Sequence, residues 1–294
     1  MTVLTADREH TVAEKASSMF YRGMALAACV TWSYWPTLVE LVEYWRNNDD
    51  YSVGALVPFV AAYFAWQRVK TGTGCKRATC WWGAVVILVG QALRLFGVCF
   101  WHVSAERYSL IVTISGLVLL VWGFTTFWRM RWILAFLLLM MPLPFRVHEQ
   151  LLLPLQELAA RSGTFFLEIG GIYVQREGNI LHLEEKVTVG VGEACSGLRM
   201  ITAFVFLCAT VAFMIARPVW QRSFLVLSSI PIALVTNSMR LVATSLVFLY
   251  VGGAGVRSFA HDALGFAMMP VALALVIFEL WLMKQLMAVS GWQR

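Results

Sequence analysis

The chain has 294 residues, of which 60% are hydrophobic and only 14% charged, and its formal net charge is +6. Soluble domains average about 25% charged residues, so this composition excludes a water-soluble globule, and its hydrophobicity excludes a disordered chain. The 13 Trp and 19 Phe suit a protein that contacts the lipid bilayer through aromatic belts. The positive charge fits Lys and Arg in cytoplasmic loops and at lipid headgroups, so we expect no nucleic-acid partner.

Apolar runs long enough to cross a bilayer recur along the chain. We predict about eight transmembrane helices, preceded by a charged cytoplasmic tail at residues 1–23. The spans are predicted at residues 24–45, 52–67, 81–101, 108–128, 132–146, 196–216, 223–251 and 262–288. When the N-terminus is placed inside, the inside segments hold more Lys and Arg than the short outside loops, as the positive-inside rule requires. The sequence thus predicts an all-α integral membrane protein with both termini in the cytoplasm.

Residues 147–194 form the one long stretch that is predicted not to span the membrane. Its first part mixes Leu and Phe with charged residues, which indicates an amphipathic helix at the interface. In its second part, β-branched and aromatic residues alternate with polar ones, which indicates a small extracytoplasmic β-meander before the sixth span. We interpret residues 1–294 as a single polytopic domain whose catalytic helices occupy residues 195–288.

Cys195 lies at the predicted N-terminus of the sixth span. Unpaired N–H groups and the helix dipole favour a thiolate at such a position, although a cysteine there is also compatible with simple packing. Arg199 follows four residues later on the same predicted helix face. It either supports a site at Cys195 or extends to the outer headgroups.

Arg240 lies deep in the seventh predicted span, about 11 residues from its outer end, or roughly 16 Å along the helix. That distance is long for an arginine side chain to reach the headgroups. Asn237 shares its helix face at i−3. The pair therefore requires polar neighbours, either in a functional site or in a hydrogen-bonded contact between helices.

His261 and Asp262 open the eighth predicted span. His261 is a candidate general base, and the alternative is a loop histidine beside an N-capping aspartate. A thiol, an arginine and a histidine near the outer ends of three spans are the groups that cysteine acyl transfer requires. In that chemistry a base takes the thiol proton, the thiolate attacks a carbonyl, and a cation stabilises the oxyanion.

At these residues the sequence resembles the exosortase/archaeosortase family. The matching motifs are Glu193-Ala194-Cys195-Ser196-Gly197-Leu198-Arg199, Asn237-Ser238-Met239-Arg240, and His261 with Gly265. The resemblance implies a membrane-embedded cysteine peptidase or transpeptidase of the bacterial exosortase branch. It also implies a location in the bacterial cytoplasmic membrane, with the active site toward the extracytoplasmic face.

The resemblance also assigns roles. Cys195 is then the nucleophile that forms a thioester, Arg240 stabilises the oxyanion or the thiolate, and His261 is the acid/base. Glu193, Arg199 and Asn237 are supporting residues, and no cofactor or metal is needed. The implied partners are membrane-anchored proteins whose C-terminal sorting signal, of the PEP-CTERM kind, joins a Pro-containing motif, a transmembrane helix and a basic tail. The acceptor is water or an amine on a cell-surface glycan or lipid.

Two other classes remain open from the residues alone. One is a membrane acyltransferase or thioesterase that uses the same Cys and His chemistry on lipid-linked carbonyls. The other is a transporter without enzymatic activity, in which Arg240 is an anion site. A transporter would keep its function when Cys195 is replaced by Ala, whereas the enzymes would lose it even in Cys195→Ser.

The nucleophile assignment makes a first prediction about thiol reactivity. Among the six cysteines, we expect Cys195 to be alkylated fastest at neutral pH, because a nucleophilic cysteine holds an appreciable thiolate fraction. Mass spectrometry after a timed pulse of iodoacetamide measures this. Equally slow labelling of all six cysteines would contradict the assignment.

Overall fold

A computed structural model describes residues 24–25, 27–71, 80–191, 197–215, 217–251 and 254–289. The chain divides into two compact units. The first unit comprises Met1–Asn47 and Gly54–Pro142, and the second comprises Asn48–Val53 and Leu143–Arg294. The short segment 48–53 therefore belongs to the second unit, although the residues on both sides of it belong to the first.

The first unit is helical throughout its described residues. Its α-helices are α1 (27–33), α2 (Trp35–Asn47), α3 (Val57–Thr71), α4 (Trp82–Cys99) and α5 (Val103–Phe136). Leu137–Met140 is a short 3-10 helix of this unit, and a second 3-10 helix, Asp49–Leu56, has its first five residues in the second unit. Gly123 interrupts α5 with φ 80° and ψ 175°, a conformation that glycine reaches without a steric penalty.

Helices α4 and α5 pack at close range through small residues. A Cβ on Gly116 would lie 2.8 Å from the backbone nitrogen of Ile87, and a Cβ on Gly83 would clash with the backbone of Leu120. Polar side chains add hydrogen bonds within the same unit: the buried Tyr34 hydroxyl bonds Ser109 Oγ at 3.0 Å. Such close approach and interhelical hydrogen bonding are typical of membrane helix pairs.

The second unit joins one long helix, a small sheet and three further helices. Helix α6 (Phe145–Ile169) leads into strands β1 (Val174–Glu177), β2 (Ile180–Leu183) and β3 (Val187–Gly190), which are followed by α7 (Leu198–Met214), α8 (Val219–Tyr250) and α9 (Ala254–Val289). The sheet is an antiparallel meander in the order β1-β2-β3. Val174 pairs with Leu183, and Ile180 pairs with Gly190.

One face of the sheet is buried against α6 and the second half of α8. Alternate strand residues such as Leu181, Val187 and Val189 point into a cluster with Ala160 of α6 and Leu241 of α8. This period-two burial explains the alternating sequence pattern. The meander thus holds Val191, the first residue after β3, in the same cluster as Leu241 of α8.

Helices α7, α8 and α9 form a bundle whose register follows from two apolar clusters. In the first cluster, Met200 and Phe204 of α7 pack with Ala233 of α8 and with Met268 and Ala272 of α9. In the second cluster, Cys208 and Ala212 of α7 pack with Leu225 of α8 and Val276 of α9. Helix α8 therefore runs antiparallel to α7, whereas α9 runs parallel to α7.

Four described helices are long and apolar enough to cross a membrane. They are Trp82–Cys99, Val103–Met140, Val219–Tyr250 and Ala263–Gln285, and a shorter apolar helix lies at Leu198–Met214. The structure thus agrees with a helical membrane protein and contains the predicted helix and β-meander between residues 145 and 190. The predicted fourth span lies within α5, which Gly123 divides, and the predicted fifth span begins in the last residues of α5 and continues through the 3-10 helix Leu137–Met140. The total of eight spans and their orientation stay predictions.

The close contact between α4 and α5 predicts the effect of adding one methyl group. We expect Gly83→Ala to lower the free energy of unfolding by about 1–3 kcal/mol, because the new Cβ meets backbone that can yield only if the helices separate. Gly190→Ala is the matched control, since nothing lies within 4 Å of its Cβ position. Thermal unfolding in detergent measures both variants, and equal melting temperatures would contradict the prediction.

Candidate functional site

The site begins where α8 touches the first residue before α7. Gly197 has φ +85°, and a Cβ built on it would lie 3.2 Å from Nδ2 of Asn237. Asn237 is only 2% exposed. The left-handed backbone and the missing side chain of Gly197 therefore allow the Asn237 amide to lie directly against the start of α7.

Arg240 lies one helical turn beyond Asn237 and is also buried, with 5% exposure. Asn237, Arg240 and Thr244 are spaced i, i+3 and i+7, so they form a polar stripe along one face of α8. The hydroxyl oxygens of Thr244 and its neighbour Ser245 have no hydrogen-bond partner among the described residues. Both hydroxyls are buried, and only Thr244, four residues after Arg240, shares the face of the arginine.

Arg199 occupies the first turn of α7, and its partner lies far away in the sequence. Its Nη1 donates a hydrogen bond to Oδ2 of Asp49 at 3.1 Å, which forms an ion pair. The Thr202 hydroxyl, one turn later, donates to the backbone carbonyl of Asp50 at 2.7 Å. The segment 48–53 therefore contacts α7 at the helix end nearest Cys195.

The structure brings three of the six predicted site residues to one end of the α7–α8 pair: Arg199, Asn237 and Arg240. Cys195 and Glu193 lie outside the described residues. His261 belongs to the first turns of α9, but its side chain also lies outside the described part of the chain. In that described part, no group of three or more His, Cys, Asp and Glu side chains is arranged to hold a metal ion.

Sequence reasoning missed the residues that surround this end of the bundle. Thr244 carried a usable signal, because it follows Arg240 by four residues and shares its face. Asp49 and Asp50 carried only a weak one, a pair of acidic residues just before an apolar run. Nothing in the sequence pairs Asp49 with Arg199, which is 150 residues away.

Comparison with known proteins adds one finding. The family model of the transmembrane exosortases matches residues 45–278 of this chain. The chain belongs to the transmembrane exosortase family. No curated protein and no solved structure matches this exosortase.

The matched range of the exosortase includes Asp49, the meander and all six predicted site residues. Members of this family are cysteine peptidases and transpeptidases that process membrane proteins. Family membership therefore agrees with the resemblance found in the sequence motifs. It also establishes the chain as a multi-pass membrane protein.

The geometry of Gly197 predicts a cost for any side chain there. We expect Gly197→Ala to lower the free energy of unfolding by more than the roughly 1–2 kcal/mol of a left-handed alanine, because the Cβ also presses on Asn237. Gly178→Ala is the matched control, since Gly178 has φ +60° but nothing within 4 Å. Equal losses in thermal unfolding of the two variants would show that the contact with Asn237 is unimportant.

Proposed function

We propose that this exosortase cleaves C-terminal sorting signals of membrane-anchored proteins, with Cys195 as nucleophile, Arg240 as oxyanion-stabilising cation and His261 as acid/base. The observation that carries the proposal is the contact between Asn237 and Gly197. Gly197 follows Cys195 by two residues, and two residues of chain span at most about 7 Å. A buried arginine one turn from Asn237 is therefore close to the start of α7, where the candidate nucleophile belongs.

The register of the bundle supports the inclusion of His261. Met268 of α9 packs with Met200 and Phe204 in the first turns of α7. His261 precedes Met268 by seven residues, which is two turns or about 10 Å along the helix on the same face. Because α9 runs parallel to α7, this displacement points toward the same end of the bundle as Cys195 and Arg240.

The first half of the reaction forms a thioester. His261 accepts the Cys195 proton, and the thiolate attacks the scissile carbonyl carbon, so that negative charge develops on the carbonyl oxygen. Arg240 stabilises this oxyanion, and the surrounding apolar bundle strengthens the interaction because it excludes water. When the carbon–nitrogen bond breaks, the leaving amine takes the proton from His261.

The second half releases the protein from the enzyme. Water or an amine of a glycan or lipid gives a proton to His261 and attacks the thioester carbonyl. The carbon–sulfur bond then breaks and regenerates the thiolate. Arg240 again stabilises the oxyanion, while Arg199, Asn237 and Glu193 support the catalytic groups. All of these groups belong to the protein itself, so we propose no cofactor.

The proposed substrate has the three-part tail of a sorting signal of the PEP-CTERM kind. Its Pro-containing motif reaches the site in extended form, its helix lies in the bilayer, and its basic tail remains in the cytoplasm. The meander borders the site through its contact with Leu241, the residue after Arg240. We propose that the site faces the extracytoplasmic side of a bacterial cytoplasmic membrane, where exported proteins present such a tail.

The test is co-expression of the exosortase with a tagged substrate that carries this tail. We expect the wild type to remove the C-terminal tag, and Cys195→Ala, Arg240→Ala and His261→Ala to lose cleavage by at least a hundredfold. Immunoblotting of both ends of the substrate measures the products. Cys99→Ala, Arg131→Ala and His102→Ala are matched controls in the first unit and should cleave normally.

Each other outcome has a defined meaning. Cleavage by Cys195→Ala would overturn the nucleophile and the thioester mechanism. A panel of substrates that differ in the Pro-containing motif guards against a wrong choice of signal. If no member of the panel is cleaved, the proposed substrate class is wrong.

A further inference from the structure

The segment 48–53 is anchored within the second unit by several contacts. The Tyr51 hydroxyl bonds Nδ1 of His148 at 3.1 Å, and the two rings lie 5.9 Å apart. Tyr51 and Asp50 are 5% and 8% exposed. The Asn48 side chain accepts a hydrogen bond from the Asp50 backbone N–H at 3.0 Å, which closes the turn. The segment therefore contacts both the first turn of α6 and the first turns of α7.

The contacts to α7 are made on a single helix face. Arg199 pairs with the Asp49 carboxylate, and Thr202 bonds the Asp50 carbonyl. Arg199 and Thr202 are three residues apart and so are neighbours on the helix surface. Cys195 precedes Arg199 by four residues in the chain. These two bonds thus hold the helix turn that directly follows the candidate nucleophile.

We propose that Asp49 is a positioning residue for the reaction: its carboxylate holds Arg199, and together with the Asp50–Thr202 bond it fixes the first turn of α7. This inference rests on the proposed function. It adds the segment 48–53 to the site. It also gives Arg199 a defined role, which is to bind the Asp49 carboxylate and so link this segment to α7. Asp49 acts through Arg199 and does not itself touch the substrate.

The exposure of the ion pair separates this role from simple stabilisation. The Arg199 and Asp49 side chains are 39% and 74% exposed, and exposed ion pairs contribute little to folding stability. Catalysis is more demanding, because a displacement of about 1 Å in a reacting group can cost about a hundredfold in rate. Loss of Asp49 should therefore appear in turnover rather than in unfolding.

The test uses the full-length enzyme in detergent with a cleavable sorting-signal substrate. We expect Asp49→Asn to lower kcat by about tenfold to a hundredfold, with KM and melting temperature nearly unchanged. Asp49→Glu should recover most of the rate, because it keeps the carboxylate. In combination with Arg199→Gln, Asp49→Asn should cause no further loss, since both changes break the same contact.

Thr202→Val provides a second variant: it removes the bond to the Asp50 carbonyl, together with the hydroxyl's local bond to the Arg199 carbonyl within α7, and it should lower kcat in the same way. Glu184→Gln is the matched control, because Glu184 also forms an exposed ion pair, with Lys186 at 3.2 Å. A kcat of Asp49→Asn equal to that of the control would overturn the positioning role. A parallel fall in kcat and melting temperature that Asp49→Glu does not rescue would also overturn it.

Alkylation of Cys195 separates failure of this inference from failure of the proposed function, because it needs no substrate. We expect faster alkylation in Asp49→Asn than in Glu184→Gln, since this change removes a negative charge that contacts the first turn of α7 and leaves the positive charge of Arg199 uncompensated. If the wild type cleaves no substrate but this difference is present, the proposed function fails and the contact near Cys195 stands. Equal alkylation rates would overturn the contact whatever the cleavage assay shows.

Discussion

The packing of the second unit depends on how it accommodates one buried guanidinium group, that of Arg240. Charge that leaves water for an apolar bundle carries a cost of several kcal/mol unless polar groups surround it. Arg240 is 5% exposed, and Asn237 and Thr244 of α8 lie on its side of the helix. The helix register, the meander that covers the second half of α8 and the left-handed start of α7 all place backbone and side chains around this position. Stabilising an oxyanion, the role proposed for Arg240, is one use for a positive charge that is buried at this cost.

The close approach of α7 and α8 depends on what Gly197 lacks. A side chain at this position would push Asn237 away, and the polar stripe would lie farther from the chain that carries Cys195. The same principle operates in the first unit, where Gly83 and Gly116 let α4 and α5 approach closely. In the first unit, the missing side chains allow a tight helix pair. In the second unit, the missing side chain of Gly197 lets the face of α8 that carries Arg240 approach the start of α7, which Cys195 precedes.

Sequence patterns predicted the local features of this exosortase well. The alternation after residue 172 indicated the meander, and the spacing of Asn237 and Arg240 placed them on one face of a single helix. Contacts between distant segments were not predictable: the ion pair of Asp49 and Arg199 leaves no periodic signal. Helix boundaries were also hard to predict. Hydropathy carries no information about the backbone conformation of Gly123, which divides α5 inside the predicted fourth span. Family motifs supplied the catalytic roles, since spacing alone left packing and lipid-facing explanations open.

The separation of Asp49 from Arg199 by 150 residues has a consequence for biogenesis. The ribosome makes segment 48–53 early, but its partners on α6 and α7 emerge only after the whole first unit has been synthesised. Contacts of such long range form late, because the intervening chain must first be ordered. An incompletely translated chain therefore lacks the assembled site, so proteolytic competence would arise only once the second unit is in the membrane.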